Sequence, residues 1–184
     1  MKINNILENE LLKTIEYYYP QDIVETSDLV YINSEETKRR NKAYFENKDI
    51  LTWENFVNDN VDLDSYSGMD YSFYKEYNFC YRFTISYFNQ ICYLFSSALT
   101  PAYCFVNFLK NGNQYTWNTL NEFNSPLNKS YQKHFPLRFF IPESILKQRV
   151  KNFYVQPYST LGEGRIYDYI FAKYNQPYEV FENV

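Results

Sequence analysis

The chain has 184 residues, a net charge of −4 and an aromatic content of 21%. This length predicts one domain over residues 1–184 with its own buried core, and the apolar content argues against disorder. The acidic charge argues against a nucleic-acid partner, because backbone binding needs many Lys and Arg side chains, and four glycines are too few for phosphate-binding loops.

The N-terminal sequence has no unbroken apolar stretch of the kind found in signal peptides. No later segment is apolar over the length needed to span a membrane. We therefore expect a cytoplasmic protein with no membrane partner. In that compartment Cys80, Cys92 and Cys104 are expected to be reduced thiols inside the core.

The first fifty residues predict mainly helices. An amphipathic helix is expected before Pro20, with an apolar stripe at Ile3, Leu7, Leu11, Ile15 and Tyr18. Residues 28–32 suggest a short strand. Ser34 is the expected N-cap of a second helix over residues 35–47, whose polar sequence and basic run at 38–42 indicate a water-exposed element.

A short docked helix is predicted over residues 53–58, with Thr52 as its cap and Trp53, Phe56 and Val57 on its buried face. The polar residues that follow, 58–72, predict an acidic loop.

After Tyr77 the apolar pattern changes to a period of two, which predicts two antiparallel hairpins. A turn at Asn89-Gln90 places alternate residues 81–87 on the same face as Cys92 and Leu94. A second turn at Asn111-Gly112 is expected to give one apolar and one polar face, the apolar one formed by Cys104, Val106, Phe108, Tyr115 and Trp117.

The last third is less regular. Residues 121–136 are rich in turn formers, 137–141 suggest a strand, and 142–153 predict a helix that begins at Pro142. Residues 166–174 are too uniformly apolar for periodicity to separate helix from strand, although helix is favoured.

Together these elements predict an α+β fold. The sheet is expected to be an antiparallel meander of four to six strands. The N-terminal helix and a helix of the C-terminal half should pack on one face. A sheet that is only partly covered would accommodate many tyrosines, and exposed tyrosines favour a protein-binding function.

The sequence contains no pattern typical of a catalytic or metal site, so no catalytic residue, metal or cofactor is expected. The cysteines are twelve residues apart and His134 is the only histidine, whereas zinc sites need closely spaced pairs. Any catalytic Ser–His or Cys–His pair would have to use His134, for which a position at the surface or at a rim is the simpler interpretation.

The acidic loop is the candidate site for a protein partner. Its carboxylates can steer a basic protein and its tyrosines can anchor it. The candidate residues are Asp59, Asp62, Asp64, Tyr66, Asp70 and Tyr71. The alternative is a solvated connection that binds nothing.

In its small size, acidic charge and lack of catalytic motifs, with this loop and an aromatic sheet, the chain resembles bacterial immunity proteins of toxin–antitoxin and interbacterial competition systems. The resemblance implies a protein that binds a cognate toxin domain and blocks its active site. Two alternatives stay open: an enzyme or small-ligand binder with an aromatic-lined pocket, and a structural subunit of a larger assembly. Homo-oligomerisation is compatible with each.

Overall fold

The computed structural model describes residues 2–23, 29–46, 48–60, 80–87, 90–111, 114–119, 126–154 and 161–171. The helices are α1 (Lys2–Tyr18), α2 (Leu29–Asn33), α3 (Glu35–Phe45), α4 (Ile50–Asn60), α5 (Pro126–His134), α6 (Glu143–Leu146) and α7 (Ile166–Ile170). The strands are β1 (Cys80–Tyr87), β2 (Gln90–Ser97), β3 (Ala102–Asn111), β4 (Gln114–Thr119) and β5 (Phe139–Phe140). The predicted α+β class is confirmed.

The sheet is mixed, whereas the sequence predicted a purely antiparallel one. Strands β1 to β4 form an antiparallel meander in chain order. The two-residue strand β5 pairs in parallel with the start of β3, where Ala102 lies opposite Phe139. Helix α5 lies between β4 and β5 in the chain, and β5 runs in the same direction as β3.

Both hairpins have the predicted faces although both turns lie one residue away from their expected positions. Tyr87 pairs with Gln90 and Asn111 pairs with Gln114, so the two-residue connections are 88–89 and 112–113. Moving a turn by one residue shifts the pairing by two positions. Because a strand alternates with period two, such a shift keeps the predicted sets of alternate residues paired with each other. The side chains of Phe108, Tyr115 and Trp117 lie outside the described part of the structure.

Helices cover both faces of the sheet. The N-terminal helix and helices of the C-terminal half lie on one face, as predicted, whereas the cover on the opposite face was not predicted. Residues of α1, α6 and α7 pack on the face that carries Phe95, Cys104 and Val106. Residues of α4 and α5 pack on the opposite face, which carries Phe83 and Phe105. The expected polar face of β3 is wrong at Phe105, which is fully buried. The described aromatic side chains therefore mainly fill two cores.

The N-terminal helices agree with prediction except at α2. The stripe of α1 is confirmed from Leu7 onward: Leu11 and Ile15 are fully buried, and Leu7 and Tyr18 are partly buried against the same core. The side chain of Ile3 lies outside the described part of the structure. The Ser34 hydroxyl accepts a hydrogen bond from the Thr37 backbone N–H at 3.1 Å and caps α3 as expected. The segment predicted as a strand is helix α2 instead, because it packs against α3 rather than joining the sheet.

Helix α3 is less exposed than its sequence indicates. The Arg40 residue is only 8% exposed. Its guanidinium donates to the Tyr31 hydroxyl at 2.9 Å and lies 4.4 Å from the centre of the Tyr19 ring. The expectation of a solvated basic run is therefore wrong at this residue, since these aromatic partners lie on α2 and just beyond α1.

Helix α4 is longer than predicted. It begins at Ile50, so Thr52 lies inside the helix and is not its cap, and it continues to Asn60. The expected buried face is confirmed, because Trp53, Phe56 and Val57 are all buried.

Helix α5 occupies part of a segment predicted to be irregular. Pro126 suits its first position, and Leu127 and Tyr131 are buried on its inner face. Tertiary packing overrides the turn-forming composition here, because these two side chains complete the core beneath α4.

The predicted helix over 142–153 ends at Leu146. Beyond it, the Val150 N–H donates to Gly164 and Gln148 accepts from Ile166, so backbone pairing replaces the helix. The favoured helix near the C-terminus is confirmed as α7, as far as the described residues extend. Among all the residues that the structure describes, no helix is both long enough and apolar enough to cross a membrane.

Candidate partner-binding surface and cleft

A cleft of about 410 Å³ opens at one end of the sheet. Its walls come from three segments that are distant in sequence: the start of α4, the connection between β2 and β3, and the end of α5 with the residues before β5. The volume is within the range of small-ligand and side-chain pockets. Phe135 is the aromatic residue of this lining, so the cleft differs from the aromatic-lined pocket of the alternative interpretation.

Arg138 holds the three segments of the cleft together. Its Nη1 donates to the Ser97 carbonyl at 2.6 Å, with longer contacts to the Thr100 and Ala102 carbonyls. Its Nη2 donates to the Asp49 carboxylate in a short ion pair. A buried charge needs such partners, because an unpaired guanidinium in the interior would be strongly destabilising.

The two charges of this ion pair differ in accessibility. The Arg138 side chain is 8% exposed, whereas the Asp49 side chain is 41% exposed. A molecule that enters the cleft would therefore meet the carboxylate more readily than the guanidinium.

His134 lies at the edge of the same cleft, at the C-terminal end of α5. Its Nε2 is 3.0 Å from an Asp59 carboxylate oxygen, and its ring packs edge-on against Phe56. His134, predicted to lie at the surface or at a rim, thus lies at the rim of the cleft, where its side chain is 14% exposed and joins α5 to α4. Among the described residues, the hydrogen-bond partner of the His134 ring is the Asp59 carboxylate, so this geometry is that of a contact between two helices.

The predicted acidic site is only partly described. Asp59 lies in the last turn of α4 and not in a loop, and its contact is His134. The other five candidates, Asp62, Asp64, Tyr66, Asp70 and Tyr71, lie outside the described residues.

Exposed large apolar side chains are concentrated in one stretch of the chain. Nine such residues occur in the described part, and six of them lie on α2, α3 and the start of α4. We call these six the apolar surface: Leu29, Val30, Ile32, Phe45, Ile50 and Leu51. A further exposed residue, Leu137, lies on the wall of the cleft. Among these nine described residues Tyr17 is the single tyrosine, and the candidate tyrosines Tyr66 and Tyr71 lie outside the described residues.

The cysteines lie where the strand pattern predicted them. Cys80 and Cys104 are buried and Cys92 is partly buried, and all three are free thiols. Burial raises the pKa of the Cys80 and Cys92 thiols to about 12 and that of Cys104 well above its usual value. Among the described residues no three His, Cys, Asp or Glu side chains are grouped to hold a metal ion.

Sequence reasoning missed the cleft. The sequence does carry one signal, since Arg138 is a lone charge inside the apolar run "PLRFFIP", and a charge in such a run requires a partner when it is buried. The identity of that partner depends on long-range packing.

The chain matches no protein-family model, and no match was found among curated proteins or solved structures.

Proposed function

We propose that this protein is a protein-binding module whose apolar surface and adjoining cleft contact a basic protein. The observation that carries the proposal is the concentration of exposed aliphatic side chains on α2, α3 and the start of α4. Scattered exposed apolar residues are common, but six of the nine fall within residues 29–51, and a concentration of exposed apolar side chains is typical of interaction sites.

The acidic charge that favours a basic partner lies along α4 and the sequence after it, whereas α3 carries the basic run at 38–42. Residues 49–60 contain Asp49, Glu54 and Asp59 but no Lys or Arg. The sequence that follows adds Asp62, Asp64 and Asp70, which extends the acidic character along the chain. Complementary charge would speed association, and aliphatic contacts would slow dissociation.

The specific form that we propose is an immunity protein that binds a cognate bacterial toxin domain and blocks its activity. This form rests on the resemblance in size, charge and lack of catalytic motifs described above. In it, Asp59, Asp62, Asp64 and Asp70 steer the basic toxin, with Tyr66 and Tyr71 as anchors.

The test is co-expression with the protein encoded beside this one in its genome. We expect growth inhibition by that protein to be relieved and the two chains to copurify. The Leu51→Glu variant should lose both effects, because a charge at the centre of an apolar contact is left unpaired. The matched control is Ile6→Glu, since Ile6 is 64% exposed and Leu51 is 68% exposed.

Equal binding by the two variants would contradict a role for the apolar surface. Charge reversal of Asp62 and Asp64 to Lys tests the acidic segment separately, since it should slow association and reduce its salt dependence. Truncation of Tyr66 or Tyr71 should instead speed dissociation. If neither reversal nor truncation changes the rates, the segment has no role in binding.

A further inference from the structure

The cleft offers chemistry that the apolar surface lacks. Its most accessible charge is the Asp49 carboxylate, because Arg138 is enclosed and donates to the carbonyl groups of the β2–β3 connection. Thr52 and Thr100 add hydroxyl groups to the lining. A carboxylate and hydroxyl groups are hydrogen-bond acceptors of the kind that a cationic group requires.

Apart from these groups, Arg138 and His134, the lining is apolar. Leu99, Pro101, Pro136 and Leu137 form walls next to the polar groups, and Leu137 is 88% exposed. Lysine and arginine side chains combine an apolar stem with a charged head, and they bury the stem along apolar surface while the head stays in polar surroundings. This combination of walls and acceptors suits such a side chain.

The helix termini at the cleft are consistent with a cation. Helix α5 ends at His134, and the carbonyl groups at a helix C-terminus carry partial negative charge. Helix α4 begins beside Asp49, whose negative carboxylate compensates the partial positive charge of that N-terminus. An anionic ligand would have to displace Asp49 from an enclosed Arg138, which makes the anion the poorer fit.

We propose that the cleft receives a lysine or arginine side chain of the protein partner, with its head at Asp49 and its stem against Leu137 and Pro101. This inference rests on the proposed function, since it identifies the anchor of the same basic partner. Arginine, with tryptophan and tyrosine, is enriched among the energetic anchors of interfaces.

The cleft can be tested without the partner. The probes are N-acetyl-arginine methylamide and N-acetyl-lysine methylamide, with N-acetyl-citrulline methylamide as the neutral counterpart of the arginine probe. We expect both cationic probes to shift the backbone amide resonances of Thr52, Thr100 and Leu137 in a saturable way. The citrulline probe should bind at least about fivefold more weakly, because it lacks the charge that Asp49 attracts.

A variant at the rim of the cleft gives an independent measurement. Leu137→Lys should weaken binding of the arginine probe about fivefold or more, since it places a like charge at the entrance. Its exposure means that the substitution should not affect folding. Ile6→Lys is the matched control for the change in net charge. Equal binding of the arginine and citrulline probes, or shifts located away from the cleft, would overturn the inference.

The outcome is separable from that of the proposed function. If Leu51→Glu abolishes partner binding but the cationic probes leave the cleft resonances unchanged, the protein-binding function stands and the anchor inference fails. If the probes bind in the cleft but no variant affects the partner, the cleft binds cations and the proposed function fails.

Discussion

At the scale of single residues, burial determines the chemistry of the thiols and of Arg138. The cysteines alternate with large aromatic residues in the strands and act as small apolar side chains. A thiol in such a place resists ionisation, because the interior solvates the thiolate poorly. A lone arginine in an apolar run, in contrast, keeps its charge and must find partners, which for Arg138 are Asp49 and backbone carbonyl groups.

The first prediction concerns the reactivity of the cysteines. At pH 8 in native protein, Cys80 and Cys92 should react with a disulfide reagent about a thousandfold more slowly than an unshifted thiol, because a pKa of about 12 leaves so little thiolate. Cys104 should be at least as slow, and Cys92, which is only partly buried, should react first. In the denatured protein all three thiols should react rapidly with the reagent. Rapid native labelling of Cys80 or Cys104 would show that the burial is wrong.

The second prediction concerns Arg138. Arg138→Gln should lower the free energy of unfolding by about 2–4 kcal/mol, since carbonyl groups lose their donor and Asp49 loses its counter-ion. Chemical denaturation measures the change. The control is Lys147→Gln, which removes a partly exposed ion pair with Glu143 and should cost less than about 1 kcal/mol. Similar losses in both variants would mean that Arg138 does not hold the cleft segments together.

At the scale of secondary-structure elements, α4 and α5 form an aromatic layer on one face of the sheet. The Trp53 ring stacks on Tyr81 with centroids 5.1 Å apart, and Phe56 contacts the rings of Phe83 and Tyr131. Hydrogen bonds between the helices supplement this packing, because the Asn60 side chain donates to the Ser130 hydroxyl at 2.9 Å. Both helices therefore owe their position to the sheet and to each other.

The third prediction tests this layer. Trp53→Ala should lower the free energy of unfolding by about 3–5 kcal/mol, the usual range for removing a buried aromatic side chain. Phe45→Ala is the control, because Phe45 is 75% exposed on the neighbouring helix α3 and its loss should cost less than about 1 kcal/mol. Urea denaturation followed by circular dichroism measures both values. A small effect of Trp53→Ala would show that α4 does not pack on the sheet as described.

At the scale of the whole molecule, the two cores share one sheet. Residues such as Phe95 and Cys104 belong to one core, while their neighbours Leu94 and Phe105 belong to the other. Neither core can lose its strands without exposing the other, so the two should unfold together. The apolar surface and the cleft, on which the proposed function depends, lie outside these two cores.

The fourth prediction follows from the shared sheet. Ile15→Ala removes part of a fully buried side chain from the core under α1, and Leu127→Ala does the same in the core under α5. Each variant should have a lower urea midpoint than the unchanged protein. Within each variant, tryptophan fluorescence and circular dichroism should give the same midpoint, as expected for one cooperative transition. Two separate transitions in either variant would mean that the cores fold independently.

The sequence by itself determined the features that depend on neighbours along the chain. The division of each hairpin into two faces follows from the period of two, and the pairing keeps it even where the turns were misplaced by one residue, whereas the polarity expected of one face is wrong at Phe105. The stripe of α1 and the Ser34 cap of α3 are equally local, because a helical face and a capping hydroxyl need only residues within one or two turns.

Only the tertiary structure decided which segments meet. A strand was expected at α2 and irregular chain at α5, and in both places packing against other elements overrides local propensity. The cleft is the clearest case, because Asp49, Thr100 and Arg138 come together from three distant segments. The sequence does not predict that Arg138 pairs with Asp49. The low polarity of the interior requires a partner for the guanidinium, and the packing of α4 and α5 on the sheet determines which one is within reach.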